Sequence, residues 1–216
     1  MITYKFIPAT KINAYYIEDI DKDIAKKRMI ALKQYSTAIL TIEEHNGVYF
    51  LMSGFKFFDA LYKLNQTQPI PCRVINENCN NESTRILKIL NQGINRESTS
   101  WKFKYEMIVK LTKYSSILPS EIATFINKEI SYVTNYMVEE EVPNSYKQKA
   151  INSNKTDLIN EVQRHPAIPD DRKQDFFDLA IAEELTHLKL YLTTSYYNLS
   201  FYGIYAHPYA SYRIVY

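Results

Sequence analysis

Apolar positions in the first third of the chain repeat every second residue in some segments and at helical spacing in others, and the two patterns alternate. Residues 4–12 read as a short strand and turn. Residues 21–35 predict a helix with Ile24, Arg28, Ala31, Leu32 and Tyr35 on one face and lysines on another. Residues 37–43 form a β-branched run, Asn46-Gly47 is a strong turn signal, and 48–53 supply the returning strand, so this pair predicts a hairpin. A helix over 55–64 and a strand over 70–75 come next, with Pro71 suiting an edge or a strand start.

Beyond the polar loop 76–82 the period becomes helical. Helices are expected over 83–90, 101–115, 119–126 and 131–140, then over 155–164 and 170–192, parted by the breaker at Pro166 and Pro169. In the last of these Phe176, Phe177, Ala180, Ile181, Leu185, Leu188 and Leu192 make one apolar stripe. The fold class is therefore α+β: a small mixed-sheet domain followed by an all-α part. The expected division is 1–90, 91–150 and 151–216. Residues 191–216 carry eight of the 19 tyrosines and read equally as a docking strand, a hairpin or a tail.

Composition narrows the class. No apolar run approaches the length of a membrane span, and the first residues lack a basic segment leading into an apolar block, so a cytoplasmic protein is expected. Net charge is only +2, with +4 over residues 1–96, zero over 97–150 and −2 over 151–216, a weak basic bias for a nucleic-acid binder. Cys72 and Cys79 have no histidines at metal spacing and are expected to be free thiols. His165 and His187 have no partner set for metal binding or acid–base catalysis, so neither a metal site nor a catalytic residue is expected.

Two constellations carry chemistry. In the first, Gly54 separates a strand from a helix, and Lys56 lies in the helix's first turn. Glycine lets backbone N–H groups at a positive helix end approach an anion, and lysine would add charge to the contact; a tight turn beside a solvated lysine accounts for the same residues. In the second, Pro119 and Ser120 open a helix with Ile122, Phe125 and Ile126 as its apolar stripe. Ala123 is small where two helices cross, and Asn127 suits a left-handed helix end. Val133, Tyr136 and Met137 then face inward from a second helix, as in a helix-turn-helix. Lys128, Ser131, Tyr132, Thr134 and Asn135 are left outward to reach phosphates or base edges, with Lys102, Lys104, Lys110 and Lys113 as further phosphate contacts.

Ser53-Gly-Phe-Lys-Phe-Phe-Asp-Ala60, the strand around Pro71-Cys-Arg-Val74 and Gln92-Gly-Ile-Asn-Arg-Glu97 resemble, in order and spacing, the phosphate box, following strand and Glu-Asn-x-Gln-Arg-Glu motif of the ParB partition proteins. Ser131-Tyr-Val-Thr-Asn135 resembles that family's helix-turn-helix, and Val142-Pro143 resembles the Leu-Pro pair beyond it. The resemblance spans roughly residues 2–150, as a divergent member. It implies a ParB/sulfiredoxin-like N-terminal domain, a double-stranded DNA partner, a homodimer, and a nucleoid or plasmid setting in partition or transcriptional control. It also places a nucleotide or other anion at Ser53, Gly54, Lys56 and Arg96, with CTP and magnesium as the cofactor to test. Phe57 and Asp59 replace arginines of the box, Gln92 and Gly93 replace the metal-binding pair, and Ser53 stands where sulfiredoxin has its cysteine. Hydrolysis is thus not expected. Three functions stay open: a non-catalytic DNA-binding protein, a nucleotide-dependent switch or enzyme, and an interaction module that has lost both activities.

Overall fold

The computed structural model describes residues 2–34, 39–75, 79, 81–95 and 99–192, in two compact units that meet between Met137 and Val138 in the sequence. The first is built on a five-stranded mixed sheet. Strand β1 (Ile2–Pro8) passes through a 3-10 turn into the short β2 (Ile12–Asn13), and helix α1 spans Lys22–Gln34. Strands β3 (Leu40–His45) and β4 (Val48–Ser53) form the expected hairpin, with Asn46 and Gly47 both at positive φ as a type I′ turn requires. Helix α2 (Phe55–Lys63) leads to β5 (Pro69–Ile75), and the spatial order is β1-β5-β3-β4-β2. β1 pairs antiparallel to β5, β3 lies parallel to β5, and β2 lies parallel to β4. The architecture is α+β, as the periodicity predicts.

Alternation along the strands decides what is buried. Leu40, Ile42, Cys72 and Val74 are fully sealed on one face of the sheet. On the opposite face Glu43 is sealed as well, because Arg85 of helix α3 (Glu82–Asn95) donates through Nε to its Oε2 at 2.8 Å. The Cys79 N–H adds a bond to Glu43 at 3.0 Å, and the Arg85 guanidinium lies 3.9 Å from the Phe50 ring centroid. Burial pushes the Glu43 carboxyl up, but the bonds from Arg85 and Cys79 outweigh it and hold the group below its ordinary range. Both cysteines are free and buried.

The hydrophobic core continues from the sheet into the helices. Ile86, Ile89 and Leu90 of α3 join Phe103, Met107 and Ile108 of α4 (Trp101–Val109), and Leu111 lies just beyond in a π-helical turn over Lys110–Tyr114. Ile122, Ala123 and Ile126 of α5 (Pro119–Ile126) and Val133 of α6 (Ile130–Thr134) belong to the same cluster.

The second unit packs α7 (Asn144–Ser153), α8 (Thr156–Arg164) and α9 (Lys173–Ile181) around Tyr146, Leu158, Ile159, Val162, Phe177, Ala180, Leu185 and Leu190. Tyr146 and Phe177 lie 5.1 Å apart, and Asn154 at φ 58 turns α7 into α8.

Several expectations are corrected. The packed side of α1 holds Ala25, with Arg28 and Met29 half-buried, whereas Ile24 and Ala31 are exposed; Tyr35 lies outside the described residues. Ala25 fits beneath Ala60 of α2, and that close approach selects the face. The helix expected over 131–140 ends at Thr134, and 144–153, which the pattern did not single out, is helical. The helix expected over 170–192 is broken: Glu183 has φ 62, and the chain re-enters a helix at 187. The break turns Leu185 and Leu190 inward and leaves Leu188 and Leu192 exposed. The tyrosine-rich 193–216 and residues 37–38 of the predicted strand lie outside the described residues.

Candidate nucleic-acid interface and the neighbouring anion site

Helix α4 begins at Ser100, whose Oγ accepts the Phe103 N–H at 3.2 Å, one of the donors a helix start leaves without an internal partner. Trp101 then stacks on Tyr105 at 5.2 Å and meets Tyr136 at 5.4 Å, bracing the segment after α6. Helix α5 opens with Pro119 at its first position, and Glu121 accepts the Leu118 N–H at 2.9 Å. Asn127, at φ 54 and ψ 54, ends α5 in the left-handed conformation that asparagine tolerates. The chain reverses there and enters α6.

The two helices cross through small and branched residues. Ala123, Ile126 and Val133 are buried, and Tyr136 is nearly so. Helix α6 is only five residues long, extended by turn bonds from the Asn135, Tyr136 and Met137 N–H groups to Ser131, Val133 and Thr134. On its outer side Lys128, Ser131 and Asn135 are exposed, and Tyr132 and Thr134 are half-buried. Tyr132 leans on Tyr136 at 5.7 Å, with the Lys128 ammonium 6.0 Å from its ring centroid. Lys102 and Lys113 are exposed on the preceding helical segment, whereas Lys104 and Lys110 are half-buried. Phe125, expected in the inward stripe, is 42% exposed, because it sits at the mouth of a cleft between α3 and the sheet instead of beneath α6.

The anion site predicted at the start of α2 has a different character. Gly54 is glycine for two reasons of backbone geometry. Its φ is +89, and a Cβ would lie 2.9 Å from Leu40 Cδ2 and 3.1 Å from the Ile39 carbonyl oxygen. Ser53 is half-buried and Lys56 exposed; Arg96 lies outside the described residues. The adjoining cavity is about 20 Å³ and is lined by Tyr16, Phe55 and Phe103 together with the carboxylates of Glu18 and Asp59. Phe103 packs 4.7 Å from Phe55 and 6.0 Å from Tyr16. It reaches in because residue 93 has no side chain; a Cβ on Gly93 would lie 2.6 Å from Phe103 Cε1.

Asp59 turns toward α1. It accepts the Glu18 N–H at 3.0 Å and pairs with Arg28 at 3.6 Å, while Arg28 also bonds Glu18 at 3.0 Å. Burial raises the Tyr16 phenol, and the Glu18 charge adds to the shift. A cavity of this size has room for a water molecule; Lys56 lines it as well, and both of its carboxylates are paired with Arg28. This cavity is too small for a nucleoside triphosphate, whereas Ser53 lines a separate cleft of about 310 Å³ together with Thr41, Arg73, Lys88, Gln92 and Asn95. Sequence reasoning found Gly54 and Asp59 but missed Arg28, Tyr16 and Phe103, which fill the place. The pairing of Gly93 with a large aromatic ten residues later was the signal available.

No family model matches the chain, and no curated protein matches its sequence. Among solved structures, the chain is similar to the C-terminally truncated chromosome-partitioning protein ParB from Caulobacter crescentus complexed to the centromeric parS site. The TM-score is 0.54 at 12% identity, covering 90% of this chain and 98% of that one. The same Caulobacter protein complexed with CTP-gamma-S aligns at a TM-score of 0.33 and 13% identity over 81% of this chain and 98% of that one. At these identities the first likeness is one of fold, and the fold is ParB-like.

Proposed function

We propose that this chain is a non-catalytic, sequence-selective binder of double-stranded DNA of ParB type, acting as a homodimer in plasmid or chromosome partition or in transcriptional control. A cytoplasmic place on a bacterial nucleoid or plasmid goes with that role. The observation that carries it is the α5–α6 pair: Ala123, Val133 and Tyr136 lock the crossing while Lys128, Ser131 and Asn135 stay on the outside. A fold shared with a protein whose structure holds its parS site adds support. Within the proposal, residues 1–90 form the α+β part, 91–150 the DNA-reading part and 151–216 a helical region.

Each residue's task comes from its chemistry. Asn135 has both a donor and an acceptor, so it can make the paired contact that distinguishes adenine in the major groove. Ser131 and Thr134 can bond base edges or phosphates, and Tyr132 offers its phenol at the same edge. Lys128 and Lys102, with Lys104 behind them, set the register on the backbone without reading sequence. A dimer would read two half-sites about one helical turn, or a multiple of it, apart. No step is routed through a nucleotide: the cavity beside Lys56 is only about 20 Å³ and is filled from one side by Phe103.

Selection from random duplexes and then a gel shift test the reading: an enriched, two-fold symmetric motif is expected. The double variant Tyr132→Ala/Asn135→Ala should bind that motif about 5- to 150-fold more weakly, while its residual binding to random duplex stays as in the parent. Equal, weak and strongly salt-dependent binding by both proteins would remove the role in sequence reading.

A further inference from the structure

Edge strand β1 presents an apolar row where a solvent-facing strand ordinarily alternates to polar side chains. Ile2, Tyr4 and Phe6 are 53%, 72% and 76% exposed. In the strand register Tyr4 lies opposite Arg73 and Phe6 opposite Pro71, so these side chains share a face. Arg73 is exposed and pairs in turn with Thr41 of β3. Thr41, Ser53 and Arg73 floor a cleft of about 310 Å³ walled by Lys88, Asn91, Gln92 and Asn95 of α3, with Phe125 at its rim. None of the described residues lining the cleft is acidic. The carboxylate that the sheet places on this face, Glu43, is sealed beneath Arg85.

We propose that this face binds a single-stranded nucleic-acid segment. Bases stack on Tyr4 and Phe6, the phosphodiester backbone runs past Arg73 toward Lys88, and the amides of Asn91 and Asn95 bond what enters the cleft. Three features point to this occupant. Alternate side chains on a strand stand about 6.6 Å apart, a spacing that suits successive unstacked bases. An aromatic platform beside cations is the chemistry that holds single strands without reading their sequence. Among the described residues, neither the cleft lining nor this face of the sheet exposes a carboxylate that would repel phosphate. A second copy of the chain fits less well. Ile2, Tyr4 and Phe6 together expose on the order of 400 Å², about half of what each partner buries in a stable dimer, and a two-fold axis through the row would set Arg73 near its own copy.

The site is separate from the α6 surface, so the two are tested separately on the full-length chain. The first probe is a fluorescein-labelled oligothymidylate of about twelve nucleotides, read by polarization at physiological salt; the second is a random duplex. Tyr4→Ala/Phe6→Ala should weaken oligothymidylate binding about 10- to 100-fold with duplex binding and the thermal melt unchanged, since both side chains lie in solvent. Tyr4→Phe should stay within about twofold of the parent, because the ring is kept. Arg73→Gln should weaken binding and flatten its salt dependence by roughly one phosphate. Tyr132→Ala/Asn135→Ala should leave the oligothymidylate affinity as it was. The proposal is overturned if the parent does not bind the single strand, or if Tyr4→Ala/Phe6→Ala binds it as the parent does. It is equally overturned if sedimentation shows that the double variant breaks a dimer without losing oligonucleotide affinity.

Discussion

Single residues in this fold carry distinct constraints, and Gly54 and Glu43 show two of them. Gly54 combines a left-handed backbone with a close approach to β3, so Gly54→Ala meets both the unfavourable φ and the Leu40 side chain. A loss of about 1–3 kcal/mol in urea unfolding is expected. Glu43→Gln leaves the Arg85 guanidinium buried with a neutral partner, and a loss of about 3–5 kcal/mol is expected in the same measurement. Because the Glu43 carboxyl is held below its ordinary range when folded, its contribution is present above the unfolded pKa and disappears as pH falls through the folded one. The parent should therefore lose stability toward about pH 3–4 more steeply than Glu43→Gln does, seen as a smaller acid shift of Tm in the variant. His187 has the opposite sign. It bonds Glu161, with Asp157 at 3.3 Å, and these acids outweigh burial and raise its pKa. Its stabilisation is complete below the unfolded pKa and fades as pH rises through the folded value. His187→Gln should remove a modest gain in Tm between about pH 8 and pH 6, one limited by the exposure of the pair.

At the scale of elements, the periodic strands and helices of the first unit were legible, and so was the turn chemistry. Asn46-Gly47 and Asn127 adopt the positive φ that their residue types favour. What escaped were choices made by neighbours. The buried face of α1 is selected by Ala60 across the packing, not by the largest apolar side chains of the helix, so Ile24 is exposed. The break at Glu183 carries no glycine or proline to announce it. The shortness of α6 was hidden by apolar residues that continue past Thr134 as a bonded turn. At the candidate interface the outward polar set was readable from helical spacing, whereas the plug by Phe103 needed contacts between residues of two different helices. Glu129 stands exposed just before α6, where a DNA backbone would approach. Glu129→Gln should raise duplex affinity about two- to tenfold at low salt, with the gain shrinking as salt rises, measured by polarization.

Over the whole molecule, change of composition and change of packing are different signals. In the sequence, the polar stretch 76–82 marks where the strand period gives way to the helical one, yet Ile86 and Ile89 beyond it pack in the core that holds Leu40 and Leu51. A fragment ending at Met137 contains that core entire and should melt cooperatively with mixed α and β circular dichroism. Gradual, featureless loss of signal would show that the unit needs the rest of the chain. The chain has one tryptophan, and Trp101 sits between Tyr105 and Tyr136, touching the segment that closes the α5–α6 pair. The molecule thus contains its own optical reporter. Light absorbed by the flanking phenols can pass to a single indole, so its emission registers any ligand that shifts those rings, without a dye attached to the protein.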